Sequence, residues 1–343
     1  MNKESLSFSN YFQNWLYEDS GYYANYKTIG KQGDFYTSVS TSKFFGGTIG
    51  KRVVDVIKED FLKCDTTIIE IGAHHGYLLS DMIQFIYTLN PNLLDSLKFA
   101  IVEKHAHLRE KQKEYFQKCF GDKVTLTHYD DISEVKLKSA FIIANEIYDA
   151  FPCDLVYTNN SILQKAVVQD HIISFVNNDD EYLQKYCEKY KVTKGEVSRG
   201  IEEFASSISN NIDTFEFITF DYGERYPRND FSCRIYKQHD VFPLFTKNIN
   251  LENLYQKSDI TYDVNFQHII DSFEENNIKC TKFETQLQAL VSFGIVDLLE
   301  ILHKNVDEKT YINESNKIKT LLNPTGMGDR FKMVQFRKQI NKG

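Results

Sequence analysis

The chain of 343 residues lacks several features that mark particular classes of protein. It has only five prolines and no run rich in glycine and serine, so it offers no flexible linker between domains. Its six cysteines are scattered, and none has the C-x-x-C spacing of zinc sites or redox motifs. We therefore expect isolated, reduced thiols, as in a cytoplasmic protein, and no metal site.

The sequence also lacks the signals of membrane and nucleic-acid proteins. No apolar run approaches the roughly 20 residues that a membrane-spanning helix needs. The first eight residues contain no apolar stretch typical of a secretory signal, and they carry Glu4 but no arginine, unlike a transit peptide. Acidic residues outnumber basic ones by 48 to 40, which disfavours nucleic acid as the main partner. We expect a cytoplasmic protein without a membrane span.

Strand and helix patterns alternate through the first half of the chain. Short β-branched and apolar runs predict strands buried on both faces. These runs are Thr66–Ile71, Lys98–Glu103, Lys123–His128, Ser139–Asn145 and, later, Thr214–Tyr222. Apolar positions three or four residues apart predict helices at Leu6–Tyr17, Phe44–Lys58 and His105–Cys119, and after Gly76. The alternation predicts an α/β, Rossmann-like sheet that binds a ligand at the carboxyl ends of its strands.

The alternation breaks after the fourth predicted strand. Asp154–Val176 predicts two or three antiparallel strands, Glu181–Tyr190 and Glu196–Asn210 predict helices, and Arg225–Val264 predicts irregular structure. We expect an N-terminal helical cap (1–60), a core (61–153 and 212–343) with irregular C-terminal additions, and an inserted substrate-facing subdomain (154–211). The cap and the inserted part would cover the strand ends.

The first strand ends in a glycine-containing turn that suits a ligand without phosphates. Glu70 is followed by Gly72 and Gly76, in the pattern E-x-G-x-x-x-G. A dinucleotide fold would place glycines where His74 and Tyr77 stand. Glu70 would repel a phosphate but attract an ammonium group. The turn therefore favours S-adenosylmethionine over NAD, although a plain strand-to-helix turn remains an alternative.

Acidic residues also follow the next two strands. Glu103 can accept hydrogen bonds from two ribose hydroxyls, or it can be a solvated loop residue. Asp130 and Asp131 follow the third strand. One of them can accept from the adenine amino group, or they can cap a short helical turn.

The fourth strand ends in Asn145 and two nearby carboxylates. Glu146 and Asp149 are three residues apart, so a helical turn would bring them to one side. Two carboxylates beside a sulfonium group can hold and orient a cationic nitrogen nucleophile. The alternative for Asn145 is a role in capping that turn.

Several stretches, in order along nearly the whole chain, form one pattern. They are Gly33-Asp34-Phe35-Tyr36-Thr37-Ser38 with Phe45-Gly46, Ile69 to Asp81, Val102 to Gln112, Ala144-Asn145-Glu146…Asp149-Ala150…Pro152, Asp221-Tyr222-Gly223, Asp259 to Phe266, Thr285 to Ile295, and Met327 to Lys332. The pattern resembles the MidA-type methyltransferases, a family that includes the mitochondrial arginine methyltransferase of complex I assembly. The chain departs from it at His74, where the family has glycine, and at Val39-Ser40, where it has Pro-Glu.

The resemblance implies an S-adenosylmethionine-dependent enzyme that methylates arginine in a protein substrate, with a respiratory complex subunit as one candidate. Glu146 and Asp149 would then hold the guanidinium, with Asp221 a weaker candidate, and Asn145 would contact cofactor or substrate. Asp34, Phe35 and Thr37 would belong to a cap over the cofactor. A homodimer is one further possibility.

Two other functions stay open from the sequence. One alternative is an enzyme that methylates a nitrogen or oxygen of a small molecule, and the carboxylates do not exclude it. The chain can also be a non-catalytic binding or assembly protein that keeps the fold, and His74 in the cofactor turn is the feature that favours this reading.

Overall fold

The computed structural model describes residues 5–24, 37–238, 240–247 and 249–340. These residues form two compact units. The sheet unit comprises residues 37–146, 204–221 and 273–340, and the second unit comprises residues 5–24, 147–203 and 222–272 without 239 and 248.

The described residues contain strands and helices with the following bounds. The strands are β1 Leu6–Ser7, β2 Thr67–Ile71, β3 Lys98–Val102, β4 Leu126–Tyr129, β5 Leu137–Asn145, β6 Cys153–Asn159, β7 Ile162–Gln169, β8 Ile172–Asn177, β9 Lys194–Ser198, β10 Ile212–Glu224, β11 Arg234–Lys237, β12 Asp240–Pro243, β13 Asp259–Thr261, β14 Val264–Asn265, β15 Lys279–Thr285 and β16 Phe331–Lys338. The helices are α1 Phe8–Tyr17, α2 Ser38–Thr41, α3 Phe44–Lys58, α4 Tyr77–Leu89, α5 Ala106–Phe120, α6 Glu181–Tyr190, α7 Ile201–Asn211, α8 Leu251–Leu254, α9 Phe266–Glu275, α10 Gln286–Ser292, α11 Ile295–Asn305, α12 Glu308–Leu322 and α13 Met327–Arg330.

The sheet unit is built on one large sheet with the order β15-β16-β10-β5-β2-β3-β4. Strands β4, β3, β2, β5 and β10 pair in parallel, and β15 pairs antiparallel with β16. The chain fills the β3 and β4 side first and then crosses to β5. A switch point therefore lies between β2 and β5, where α/β sheets bind their ligands. This topology confirms the predicted α/β, Rossmann-like fold class.

Strand register brings the predicted site positions to one edge of this sheet. Ile71, the last residue of β2, pairs with Val102 of β3 and Ala144 of β5. Val102 in turn pairs with Tyr129, and Asn145 pairs with Phe220 of β10. The residues that follow these strand ends therefore lie along the same edge.

The core of the sheet unit explains why its strands are largely apolar on both faces. Ile68, Ile101 and Ile143 are completely buried, because helices cover both faces of a parallel sheet. Helix α3 packs Phe45 and Ile49 into the same core, so it belongs to the sheet unit and not to a separate cap of residues 1–60.

The second unit contains two antiparallel sheets. Its larger sheet has the order β1-β7-β6-β9 with β8 on β7, and a smaller sheet has the order β12-β11-β13. Helix α1 packs Phe12 and Trp15 against these sheets, and the Trp15 indole N–H donates to the Ser258 carbonyl at 2.7 Å. The two or three antiparallel strands predicted within Asp154–Val176 are present as β6, β7 and β8, and the predicted helix Glu181–Tyr190 is confirmed as α6.

Two predictions for the second half of the chain were wrong. Glu196–Asn210 is not one helix, because residues 194–198 form β9 and pair with β6 before α7 begins at Ile201. Arg225–Val264 is not irregular throughout, because β11 pairs with β12 and β13. Residues 222–272 consequently group with residues 147–203, and this division differs from the predicted one, which placed 212–343 in the core.

No single helix among the described residues is long and apolar enough to cross a membrane. Helices α10 and α11, which meet at a bend of 62°, reach the required length and composition only as a pair. Their residues Leu290 and Ile295 are completely buried in the core of the sheet unit.

Candidate functional site

The turn between β2 and α4 has a left-handed main chain at three positions. Gly72, His74 and Gly76 have φ angles of 71°, 46° and 75°. Glycine adopts such angles without strain, and a Cβ at Gly76 would come within 3.0 Å of the Phe116 ring. His74 therefore has a main-chain conformation that glycine adopts more readily than histidine does. Its ring lies edge-on to His75, with the ring centroids 4.0 Å apart.

Glu70 is buried where β2 ends. Its Oε2 accepts a hydrogen bond from the Leu79 N–H at 3.0 Å, in the first turn of α4. Burial, with smaller contributions from the carboxylates of Asp81 and Glu103, raises the Glu70 pKa to about 8, although the Leu79 N–H favours the charged form. Asp81 on α4 is also shielded from water, and its pKa rises to about 7. For both carboxyls, burial outweighs the groups that favour the charged form, which are the Leu79 N–H for Glu70 and Lys43 for Asp81.

Glu103 follows β3 and is 7% exposed, so the interpretation as a solvated loop residue is wrong. Its Oε1 accepts a hydrogen bond from the His105 N–H at 2.9 Å. Burial raises its pKa to about 7, although Arg109 favours the charged form. A buried carboxylate at the end of the second strand is the group that binds ribose hydroxyls in related folds.

Asp130 and Asp131 both have partners within the protein. The Asp131 carboxylate accepts from the Ser133 N–H at 2.8 Å and caps the short helix Ile132–Glu134, so the capping interpretation is confirmed for Asp131. Asp130 forms an ion pair with Arg109 at 2.8 Å. An adenine contact by either carboxylate stays a prediction.

Asn145 and Glu146 form a hydrogen-bonded pair at the end of β5. The Asn145 Nδ2 donates to Glu146 Oε1 at 2.8 Å, which fixes the orientation of the amide. Asn145 Oδ1 then has no hydrogen-bond partner among the described residues, although it is shielded from solvent. Glu146 has φ 54°, and its N–H donates to the Phe220 carbonyl at 2.8 Å.

The expected helical turn carrying both Glu146 and Asp149 is not present, because the turn comprises only Tyr148–Ala150. Asp149 is buried in the second unit, where it accepts a hydrogen bond from the Tyr222 hydroxyl. Burial raises the Asp149 pKa, and the Tyr222 bond opposes that shift. Asp221 is completely buried in β10. Through this bond Asp149 ties the loop after β5 to β10.

The N-terminal block is only partly within the described residues. Thr37 caps α2: its Oγ1 accepts from the Ser40 N–H at 3.1 Å, and its own N–H donates to the Ser40 hydroxyl at 3.0 Å. Asp34 and Phe35 lie outside the described residues. The described residues contain no group of three or more His, Cys, Asp or Glu side chains placed to hold a metal ion.

The site of the sheet unit fits S-adenosylmethionine. Gly72 exposes the left-handed turn, so a ligand can approach the main chain closely. Glu70 and Glu103 each use one oxygen on a main-chain N–H, and both have raised pKa values. A ligand with a sulfonium, an ammonium and two ribose hydroxyls would supply the positive charge and the donors that these buried carboxylates need.

The raised carboxyl pKa values predict how stability changes with pH. Between pH 6.5 and 8.5 the carboxyls of Glu70, Asp81 and Glu103 bind protons in the folded state but not in the unfolded state. The stability that this difference in protonation contributes is fully present below about pH 4. It is lost as pH rises through about 7 to 8. We expect the free energy of unfolding without ligand to fall by about 3–4 kcal/mol from pH 6.5 to 8.5.

Urea unfolding at the two pH values measures this change. Glu70→Gln cannot ionise at that position and should reduce the pH dependence by about half, because Asp81 and Glu103 still titrate, which makes it the control. A free energy of unfolding that is constant or rises with pH in the wild-type protein would show that these carboxyls are compensated in the folded state.

Comparisons with known proteins agree with this site. The family "Putative S-adenosyl-L-methionine-dependent methyltransferase" matches residues 48–284. A Drosophila melanogaster relative, the mitochondrial protein arginine methyltransferase NDUFAF7 homolog, is 22% identical over 92% of this chain and 77% of its own length. The mitochondrial protein arginine methyltransferase NDUFAF7 of Bos taurus is also 22% identical, over 92% of this chain and 76% of its own length.

Solved structures show the same fold. A Burkholderia thailandensis protein solved with bound S-adenosyl-homocysteine has a TM-score of 0.85 at 19% identity, covering 99% of this chain and 89% of that protein. A native structure from the same organism has a TM-score of 0.80 at 18% identity, with the same coverage. Because the family match covers more than half of the sequence, the chain belongs to this family of S-adenosyl-L-methionine-dependent methyltransferases, and S-adenosyl-L-methionine is its cofactor.

Proposed function

We propose that the chain transfers a methyl group to an arginine nitrogen of a protein substrate. The two mitochondrial relatives named as protein arginine methyltransferases support this substrate class, and each aligns with 92% of the chain. The resemblance to the complex I assembly enzyme makes a respiratory complex subunit a candidate substrate.

The chemistry of arginine requires groups that orient it. A guanidinium is a weak nucleophile because its charge is delocalised and its pKa exceeds about 12. A carboxylate that accepts two of its N–H groups fixes the guanidinium plane and favours charge on those nitrogens. The cofactor, when bound, supplies an electrophilic methyl group on a sulfonium.

The observation that carries the proposal is the Asn145–Glu146 pair at the end of β5. Glu146 is not a glycine and yet has a left-handed main chain, which its hydrogen bond to Phe220 holds in place. Such local strain, which costs on the order of 1–3 kcal/mol, is concentrated at functional sites. Asn145 Oδ1 is a buried acceptor without a partner among the described residues, and it can accept from a substrate N–H.

These features assign separate roles to the residues. Glu146 would accept from the guanidinium, and Asn145 would accept from a second N–H and hold Glu146 in position. The turn Gly72–Gly76 and Glu103 would hold the cofactor. Asp149 and Asp221 stay predictions, because both are buried and Asp149 already accepts from Tyr222.

The test of the substrate class uses cofactor with a radiolabelled methyl group. The purified chain is incubated with this cofactor and an extract of source cells whose copy of the gene has been deleted, so that substrate sites are unmodified. We expect label in acid-precipitable protein, released on hydrolysis as methylarginine. Label in another amino acid, or only in acid-soluble small molecules, would contradict the proposal.

Glu146→Gln is expected to lower the rate of label incorporation at least tenfold at saturating cofactor. The glutamine keeps the size of the side chain and an oxygen for Asn145, but it loses the charge that the guanidinium needs. The dissociation constant of the cofactor should change by less than about twofold. The exposed Glu114→Gln on α5 is the matched control and should leave the rate unchanged. If Glu146→Gln incorporated label at the wild-type rate, Glu146 would not be the residue that holds the guanidinium.

A further inference from the structure

Helix α5 sends two long side chains to the loops that form the cofactor site. Gln112 is completely buried, and its Nε2 donates to the His74 carbonyl at 2.8 Å, within the turn after β2. Its Oε1 faces His128 Nε2 on β4 at 2.9 Å. Because a carbonyl only accepts, the His74 bond fixes the orientation of the amide, and His128 must donate through Nε2.

Arg109, three residues earlier on the same helix, holds the other loop. Its guanidinium donates to the carbonyls of Glu103 and Lys104 at 2.8 and 3.0 Å. It also forms an ion pair with Asp130 Oδ1 at 2.8 Å. Residues three apart on a helix lie on one face, so a single face of α5 contacts the loops after β2, β3 and β4.

The two side chains contact different parts of the site. The turn containing His74 is the part expected to pass along the amino-acid end of the cofactor, whereas Glu103 is the residue expected to accept from the ribose. Within the described part of the chain, Gln112 donates one hydrogen bond to the first loop and none to the second, whereas Arg109 donates to the second loop and not to the first.

We propose that Gln112 and Arg109 are positioning residues. Each holds the main chain of a different half of the cofactor site, independently of the other. Gln112 sets the main chain that receives the amino-acid end, and Arg109 sets the loop that receives the adenosine end. Neither side chain need touch the cofactor. The proposal rests on the assignment of the cofactor to the turn and to Glu103, and it does not depend on the identity of the substrate.

The proposal predicts that the two variants discriminate between two ligands. S-adenosyl-homocysteine has both ends, whereas 5′-methylthioadenosine keeps the adenosine and the sulfur but lacks the amino-acid end. We expect Gln112→Met to weaken the binding of S-adenosyl-homocysteine about tenfold. The affinity for 5′-methylthioadenosine should change less than about twofold. Arg109→Met should weaken the binding of both ligands by a similar factor, about fivefold or more.

Calorimetric titration of the full chain measures the four dissociation constants, and thermal unfolding without ligand measures folding. Lys118→Met, an exposed change on the same helix, is the matched control and should alter neither ligand. If Gln112→Met unfolds, Gln112→Glu takes its place, because glutamate can still accept from His128 but cannot donate to His74.

The possible results distinguish failure of this proposal from failure of the assignment of the cofactor site on which it rests. The proposal would be overturned if both variants lost affinity equally for both ligands, in proportion to a lower melting temperature. Gln112 and Arg109 would then be general stabilisers of the fold. Failure of the folded wild-type chain to bind either ligand would overturn the cofactor site itself.

Discussion

Replacing Glu103 with glutamine is expected to weaken S-adenosyl-L-methionine binding on the order of 100-fold. Glu103 is buried after β3, and one of its oxygens already accepts from the His105 N–H. A carboxylate at this position can accept from the ribose hydroxyls. Hydrogen bonds to a charged group contribute about 1.5–3 kcal/mol each, and about 1.4 kcal/mol corresponds to tenfold in affinity.

The comparison is best made at pH 8, where Glu103, with a pKa of about 7, is mostly ionised. Glu114→Gln on the exposed face of α5 makes the same chemical change away from the site and should bind as wild type does. A Glu103→Gln affinity within threefold of wild type, in a protein of unchanged melting temperature, would mean that the ribose lies elsewhere.

Glu216→Gln is expected to lower the free energy of unfolding by about 3–5 kcal/mol. Glu216 lies in β10 and is completely buried. Arg52 of α3 donates to both of its oxygens, at 2.7 and 2.8 Å, and Arg337 of β16 donates at 2.7 Å. Glutamine removes the negative charge and leaves two neighbouring guanidinium groups facing a neutral amide.

Glu59→Gln is the matched control, because Glu59 contacts the same two arginines but is much more exposed. Arg52 and Arg337 lower the Glu59 pKa to about 2, yet solvent screens such exposed pairs. We expect a loss below about 1 kcal/mol for Glu59→Gln in urea unfolding. Similar losses for the two variants would show that burial adds nothing to the Glu216 network.

The central sheet could be predicted because its local and global signals agree. A parallel strand covered on both faces is mostly apolar, and the stretches Ile68–Ile69 and Ala140–Ala144 are apolar and completely buried. Helix α3 was predicted with its observed bounds, because its apolar spacing follows one helical face. The order of blocks along the chain then pointed to the family that the comparisons confirm.

The second unit could be predicted less well because its strands depend on partners distant in sequence. Residues 194–198 include Gly195 and Glu196, which are poor strand formers, and they become β9 only by pairing with β6. Strand β11 is similarly short, and it lies between β12 and β13, which come from separate parts of the loop. Their pairing also explains why residues 222–272 group with the insertion and not with the core.

The placement of candidate site residues could be predicted where position along the sheet decides it. Glu70 and Glu103 lie at strand ends, and any parallel sheet brings such residues to one edge. The roles of Gln112 and Arg109 could not be predicted, because their hydrogen bonds go to main-chain carbonyls whose positions only the fold determines. The role of Asp131 stayed open because a cap and a ligand acceptor use the same side-chain oxygen.

The most direct test of the cofactor site is a calorimetric titration of the purified chain with S-adenosyl-L-methionine at pH 8. We predict saturable binding at one site. The raised pKa values of Glu70 and Glu103 further predict that binding releases protons near pH 7, seen as a heat that depends on the buffer. No binding by a chain shown to be folded would contradict the account.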